Sequence, residues 1–230
     1  MNAFRELPIK LTTATEQPRV TAIREPAPRK AVSTAVSVHD EQIQALVQQL
    51  FFRHESKPVR HVGFAPIEAS TATATLCLEV ATALAEEGRY DVGLIDAHTD
   101  LAPLQTQLQI TSPSRAEATW PIAPRLWMVP RQSWLPDAGG HRLTDQNLSR
   151  LRELTTEFDF SILWCAPVSW LTVSIARTWD GLVLVLAANK TRRLVASQMK
   201  DQLSKAQVPV LGTVLTGRRF PVPQGLYRSL

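Results

Sequence analysis

The chain has 230 residues, 44% of them hydrophobic and 20% charged, enough to close one apolar core within a composition typical of soluble globular domains. No apolar run approaches the roughly 20 residues that cross a bilayer, and the first residues lack the apolar segment of a secretory signal, so a cytoplasmic location is the expectation. A net charge of +4 and a pI near 9.4 would suit an acidic partner, an anionic membrane or nucleic acid, but the basic residues are scattered and select none of these.

Residues 1–38 are rich in Thr, Pro, Ala and isolated charges, without sustained periodicity, and read as a disordered tail that can serve as a docking arm. Residues 39–230 read as a single domain. It opens with a helix over residues 39–52, where Ile43, Leu46, Val47 and Leu50 recur at helical spacing, and Pro58 ends that approach. Apolar segments then alternate with amphipathic ones. Strands are expected at residues 61–65, 92–97, 126–129, 161–165, 182–187 and 210–215, and helices at 75–86, 145–157, 173–178 and 192–205. Several strands are apolar at nearly every position, as strands covered on both faces are, so the fold class is α/β with a mostly parallel sheet flanked by helices. Residues 111–140 carry several prolines with Trp120, Trp127 and Trp134, and read as a long connection around one strand. The three indoles could form a partner-binding patch or simply pack over the sheet.

The stretch from Val62 to Asp96 has the layout of a nucleotide-binding strand, loop, helix and strand. Its loop, residues 65–73, reads Ala-Pro-Ile-Glu-Ala-Ser-Thr-Ala-Thr and holds neither glycine nor lysine. A working phosphate loop needs glycines so that backbone N–H groups can approach the phosphates, and a lysine to hold their outer oxygens. Cys77 and Cys165 lie in apolar segments without metal-ligand spacing, which suits a reducing compartment and predicts neither a disulfide nor zinc.

The order of segments from about Glu41 to Leu230 resembles the cytoplasmic tyrosine-kinase domain of bacterial capsular and exopolysaccharide assembly systems, a branch of the MinD and ParA class of deviant P-loop ATPases. The resemblance rests on Leu94-Ile95-Asp96-Ala97, similar to the second acidic motif; on residues 158–163, similar to the strand carrying the Walker B acid; and on residues 180–185. It is most specific over residues 189–193 and 210–223, which look like the last strand and the basic, proline-bearing tail of the polysaccharide branch. It implies a P-loop NTPase-like fold.

The departures fall where the reaction would occur. The family's Gly-Lys-Ser/Thr-Thr is matched by Ala72, Thr73, Ala74 and Thr75, and a shift of register supplies no lysine, because none lies between Lys57 and Lys190. Glu68 adds a negative charge whose repulsion of a phosphate is a few kcal/mol even at an effective dielectric of about 20. The position of the magnesium-positioning aspartate holds Trp164, whose indole cannot ligate a hard cation. The expectation is a degenerate nucleotide pocket at Glu68, Ser70, Thr71, Thr73, Thr75, Asp96 and Trp164, with no catalytic residue, no metal and no cofactor. Asp96 could accept a water or metal, or instead cap a loop or pair with a basic side chain; a cluster of Asp96, His98 and Glu68 around a metal is conceivable, and Cys165 could be a reactive thiol or inert packing. The ring-forming Glu-x-x-Arg-x-x-Arg helix of the kinases is matched by Glu41, Gln44 and Val47, without the arginines, and their C-terminal tyrosine cluster by Tyr227 alone.

The leading expectation from the resemblance is a pseudo-kinase or pseudo-ATPase acting as cytoplasmic scaffold or regulator of exopolysaccharide synthesis and export. Its partners would be a membrane polysaccharide co-polymerase, a related ATPase or a second copy of itself, held at the inner membrane through a partner. Arg192, Arg193, Arg218 and Arg219 are the candidate interaction surface. The alternatives are an atypical ATP-binding protein or tyrosine autokinase, with hydroxyls and helix N–H groups holding an anion, and, third, a ParA-like nucleic-acid binder. The leading reading expects no nucleic acid.

Overall fold

Ridges of Val, Ile and Leu that bury both faces need helices on both sides, and the chain arranges them so. The computed structural model describes residues 38–53, 58–70, 72–98, 103–110, 118–135, 143–188 and 190–217. In chain order the elements are α1 (Val38–Val47), β1 (His61–Pro66), α2 (Ala72–Glu86), β2 (Val92–Ala97), α3 (Leu104–Gln107), β3 (Trp120–Ala123), β4 (Leu126–Val129), α4 (Asp145–Thr156), β5 (Phe160–Cys165), α5 (Trp170–Ala176), β6 (Gly181–Ala187), α6 (Arg193–Lys205) and β7 (Val210–Thr216). The strands form one seven-stranded sheet in the order β3-β4-β2-β5-β1-β6-β7. Every pairing is parallel except β3 with β4.

Two apolar layers follow from strand alternation. On one face Val62, Phe64, Leu94, Ile162 and Trp164 pack with α1 and α2; on the other Ala65, Ile95, Leu163, Cys165 and Leu184 pack with α4, α5 and α6. The central strands tolerate no extra bulk at their glycines. A Cβ on Gly93 would lie 2.5 Å from the Phe158 ring, and one on Gly63 would lie 2.9 Å from Leu182 Cδ1.

Local chemistry sets the helix ends. Thr144 and Asn147 form a reciprocal capping box at the start of α4, and the Ser169 hydroxyl accepts from the Thr172 N–H at the start of α5. Gly88, at φ +69, turns the chain out of α2. The first helix runs on through a π-helical turn, Gln48–Phe52, which seats Phe51 edge-on against Phe160 at 5.3 Å.

Several boundaries differ from the expectations. The second helix begins at Ala72 rather than at residue 75, because its first turn, although rich in threonine, packs inward through Thr73 and Ala74. The helix expected at residues 173–178 begins earlier, at Trp170, where Ser169 caps it. Within residues 111–140 the described part holds two strands rather than one, β3 and β4 forming an antiparallel hairpin. Trp120 and Trp134 are fully buried and Trp127 is half-buried, so these indoles pack on the sheet and make no exposed patch. Residues 1–37, Thr71, Asn189 and residues 218–230 lie outside the described residues, as do the expectations that fall on them for the tail, Thr71, Arg218, Arg219 and Tyr227.

Candidate functional site

The chain leaves β1 toward one face of the sheet, into α2, and leaves the neighbouring β5 toward the other face, into α5. Such a divergence between adjacent parallel strands opens a crevice outside their C-terminal ends, where open α/β sheets bind ligands. In this chain the crevice is floored by a row of three side chains in register. Phe64 of β1 lies beside Trp164 of β5, and Trp164 beside Asp96 of β2, all on the face covered by α2. All three are fully buried.

Trp164 therefore fills the centre of the row. Its ring lies 4.5 Å from the His98 ring at an interplanar angle of 34°, and its indole N–H finds no acceptor among the described residues. The Phe64 and Leu104 side chains belong to the same apolar cluster. An indole enclosed in this way leaves no hard oxygen ligand at that position.

Asp96 accepts from backbone on both of its carboxylate oxygens. One carboxylate oxygen accepts from the His98 N–H at 3.1 Å and the other from the Leu104 N–H at 2.9 Å, so the carboxylate joins the end of β2 to the start of α3. Burial pushes its pKa up to about 6, against the pull of those two N–H groups and of the Arg131 guanidinium. The Asp96 carbonyl accepts from the Trp134 indole at 2.9 Å, and Arg131 donates to the His98 carbonyl. Asn147 donates to the Trp134 carbonyl at 3.1 Å, joining α4 to the same network. The carboxylate thus accepts from backbone N–H groups at both oxygens and lies under the influence of the basic Arg131. Among the described residues no group of three acidic, histidine or cysteine side chains could hold a metal.

The Ile67 N–H extends β1 by donating to the Val185 carbonyl at 3.2 Å, and the Ser70 hydroxyl accepts from the Ala72 N–H at 3.3 Å. Ile67 is buried, Glu68 is exposed and Ser70 is half-buried. Thr73 is fully buried with no partner for its hydroxyl among the described residues, whereas Thr75 is exposed. Thr75 and Ala72 instead line a groove of about 720 Å³ between α1, α2 and β7, whose far wall includes Thr216. The predicted set is thus divided: Asp96 and Trp164 meet in the floor, Ser70 accepts from the Ala72 N–H at the start of α2, Thr75 turns toward the groove, and Glu68 stands in solvent. Cys165 is buried on a central strand with its pKa pushed up to about 12 by burial, which is inert packing. Val47, aligned with a ring-forming arginine, is a core residue.

Sequence reasoning did not single out Arg131, Leu104 and Trp134 as the groups gathered around Asp96, nor the groove lined by His39, Gln42 and Thr75. Leu104 acts through its backbone, which leaves no trace in residue type. Arg192 and Arg193 are exposed at the start of α6. Among the described residues no helix is long and apolar enough to cross a membrane.

No family model matches the chain, and no curated protein matches it. Solved structures do. The kinase domain of the Escherichia coli tyrosine kinase ETK is similar at a TM-score of 0.67 and 15% identity, over 80% of this chain and 78% of that one. The VpsO kinase domain gives 0.61 and 16%, over 80% of this chain and 100% of that one. A ParA family ATPase from Chlorobium tepidum gives 0.56 and 14%, over 74% and 78%. The seven-stranded sheet with its flanking helices is therefore the fold of bacterial tyrosine-kinase domains and ParA-type P-loop ATPases, the fold class that the segment order implied.

Proposed function

We propose that this chain is a non-catalytic pseudo-kinase or pseudo-ATPase, a scaffold or regulator in bacterial exopolysaccharide synthesis and export. The observation that carries the proposal is Trp164, fully buried between Phe64 and Asp96 where the resemblance expects the magnesium-positioning acid. Phosphoryl transfer depends almost wholly on positioning and on neutralising the charge of the transferring group. Here the row offers an indole in place of a metal ligand, the loop offers no glycine or lysine, and its one charged side chain is Glu68. What the chain retains is the fold, and a fold without its chemistry serves through its surfaces. A membrane polysaccharide co-polymerase or a related ATPase is the partner this reading implies, with the chain cytoplasmic and peripheral at the inner membrane through that partner.

Calorimetric titration with ATP and ADP, with and without magnesium, tests the reading. No heat and no thermal shift are expected. Magnesium-dependent binding in the micromolar range that disappears in a folded Asp96→Ala variant would sink it. That outcome would favour the second reading, an atypical ATP-binding protein or autokinase, which draws support from the Thr73 hydroxyl in the first turn of α2, without a partner among the described residues, and from the groove reaching from Ala72 to Thr216. Co-purification separates scaffold from bystander: retrieval of an assembly component supports the scaffold, and a chain that retrieves none counts against it. The ParA-like reading requires DNA affinity that falls steeply with salt.

A further inference from the structure

The two edges of the sheet are built differently. β3 has four residues, carries Pro121 and shifts register against β4, which are devices that keep an edge from pairing. β7 has seven residues, Val-Leu-Gly-Thr-Val-Leu-Thr, with no charge and no proline. It pairs with β6 on one side only, and among the described residues nothing pairs with the other. Its register against β6 is regular from Gly212 to Thr216, and Leu215 stays 54% exposed.

We infer that the outer edge of β7, unpaired among the described residues, is an interface for a second copy of this chain, the two β7 strands pairing antiparallel about a two-fold axis at Val214. The backbone supports that register. Thr216 gives its carbonyl to the Ala188 N–H at 2.8 Å, so Gly212, Val214 and Thr216 direct their N–H and C=O groups toward β6. Alternation leaves those of Thr213 and Leu215 pointing outward. A two-fold axis at Val214 sets Thr213 against the partner's Leu215 as a hydrogen-bonded pair, and the symmetry repeats it. Val214 meets the partner's Val214 as a non-hydrogen-bonded pair, with Cα atoms about 4.5 Å apart. Gly212, beside whose Cβ position no atom lies within 4 Å, leaves room for the partner's Thr216.

Side chains match as well as backbone. Leu215 would cover the methyl of the partner's Thr213 on the α6 face. On the opposite face Val214 floors the groove whose wall includes Ile43, Leu46 and Leu76, so two apolar floors become continuous. A standard interface buries roughly 800 Å² per partner, which two short strands alone do not reach. The pair is therefore a weak one, in which the apolar surface flanking the strand on both faces supplements the strand pairing. Such an interface is isologous and closed, which stops the edge from propagating into a fibre.

Sedimentation velocity of the full chain across about 1–100 μM is the test. A monomer–dimer equilibrium is expected, weakened at least tenfold by Leu215→Lys, a substitution at an exposed position that leaves the fold intact. Val214→Cys should form an intermolecular disulfide on oxidation, while the parent chain, whose Cys77 and Cys165 are buried, should not. A chain that stays monomeric overturns the inference, as does a dimer indifferent to Leu215→Lys or a Val214→Cys chain that gives no crosslink. A monomer that dimerises only after residues 218–230 are removed would assign the edge to that segment, and overturns it too.

Discussion

At Asp96 two demands pull apart: its carboxylate accepts two backbone N–H groups, yet it is fully buried among apolar side chains. Burial wins, and the folded-state pKa rises to about 6 from an ordinary value near 4. The folded chain then binds a proton more tightly than the unfolded one. Its stabilising contribution is complete below about pH 4 and is lost as the pH rises through about 6, roughly 3 kcal/mol in all. Urea midpoints measured from pH 4 to pH 7 should fall with this sign, and Asp96→Asn should flatten the slope. A slope unchanged in Asp96→Asn would place the titration elsewhere. Beside it, Trp164 fills volume that a smaller side chain would leave empty. Trp164→Ala should cost about 3–5 kcal/mol and Trp164→Phe distinctly less, since phenylalanine keeps most of the packing and removes an indole N–H that has no acceptor among the described residues. Denaturant unfolding checks both, and a loss below about 1 kcal/mol in Trp164→Ala would show that the indole does not plug the crevice.

Strands were legible wherever burial on both faces wrote a continuous apolar run, as in Leu182 to Val185, and helices wherever spacing selected one face, as in α4. β3 was not legible. Trp120-Pro121-Ile122-Ala123 is short and contains a proline, and it is a strand only because β4 offers it an edge. The start of α2 was misread for a related reason: threonines at Thr73 and Thr75 lower local propensity, and packing against the sheet outweighs them. The candidate site was half legible. The losses of glycine, lysine and acid are matters of residue type, whereas the cap on Asp96 comes from backbone N–H groups brought in by the fold. Gly93 belongs to this class of hidden constraint. Nothing in its flanking sequence signals that Phe158 occupies the space above it, at 2.5 Å from a Cβ. Gly93→Ala should therefore destabilise by about 1–3 kcal/mol despite the better strand propensity of alanine, and a neutral result in thermal unfolding would mean that the Phe158 ring moves aside freely.

Across the whole molecule, stability should grade from the centre of the sheet outward. β1 and β5 are hydrogen-bonded on both sides and covered on both faces, with burial almost unbroken along their length. β7 is half-exposed along its length and β3 is short and irregular. Amide exchange reports such differences because a strand opens only when its pairing and its apolar cover are both lost. The slowest amides are expected at Val62 to Ala65, Leu94 to Ile95 and Ile162 to Trp164, and these should exchange only through global unfolding. Amides of Thr213 and Leu215, which face away from β6, should exchange rapidly at low protein concentration. Their response to concentration separates a free edge from a covered one: protection that grows as the chain is concentrated means that β7 is completed by another copy. Uniform protection at every concentration would mean that the edge is covered within one molecule. Because the central crevice and the β7 edge lie on different strands, the two kinds of surface can be tested apart, with Trp164 governing the first and Leu215 the second.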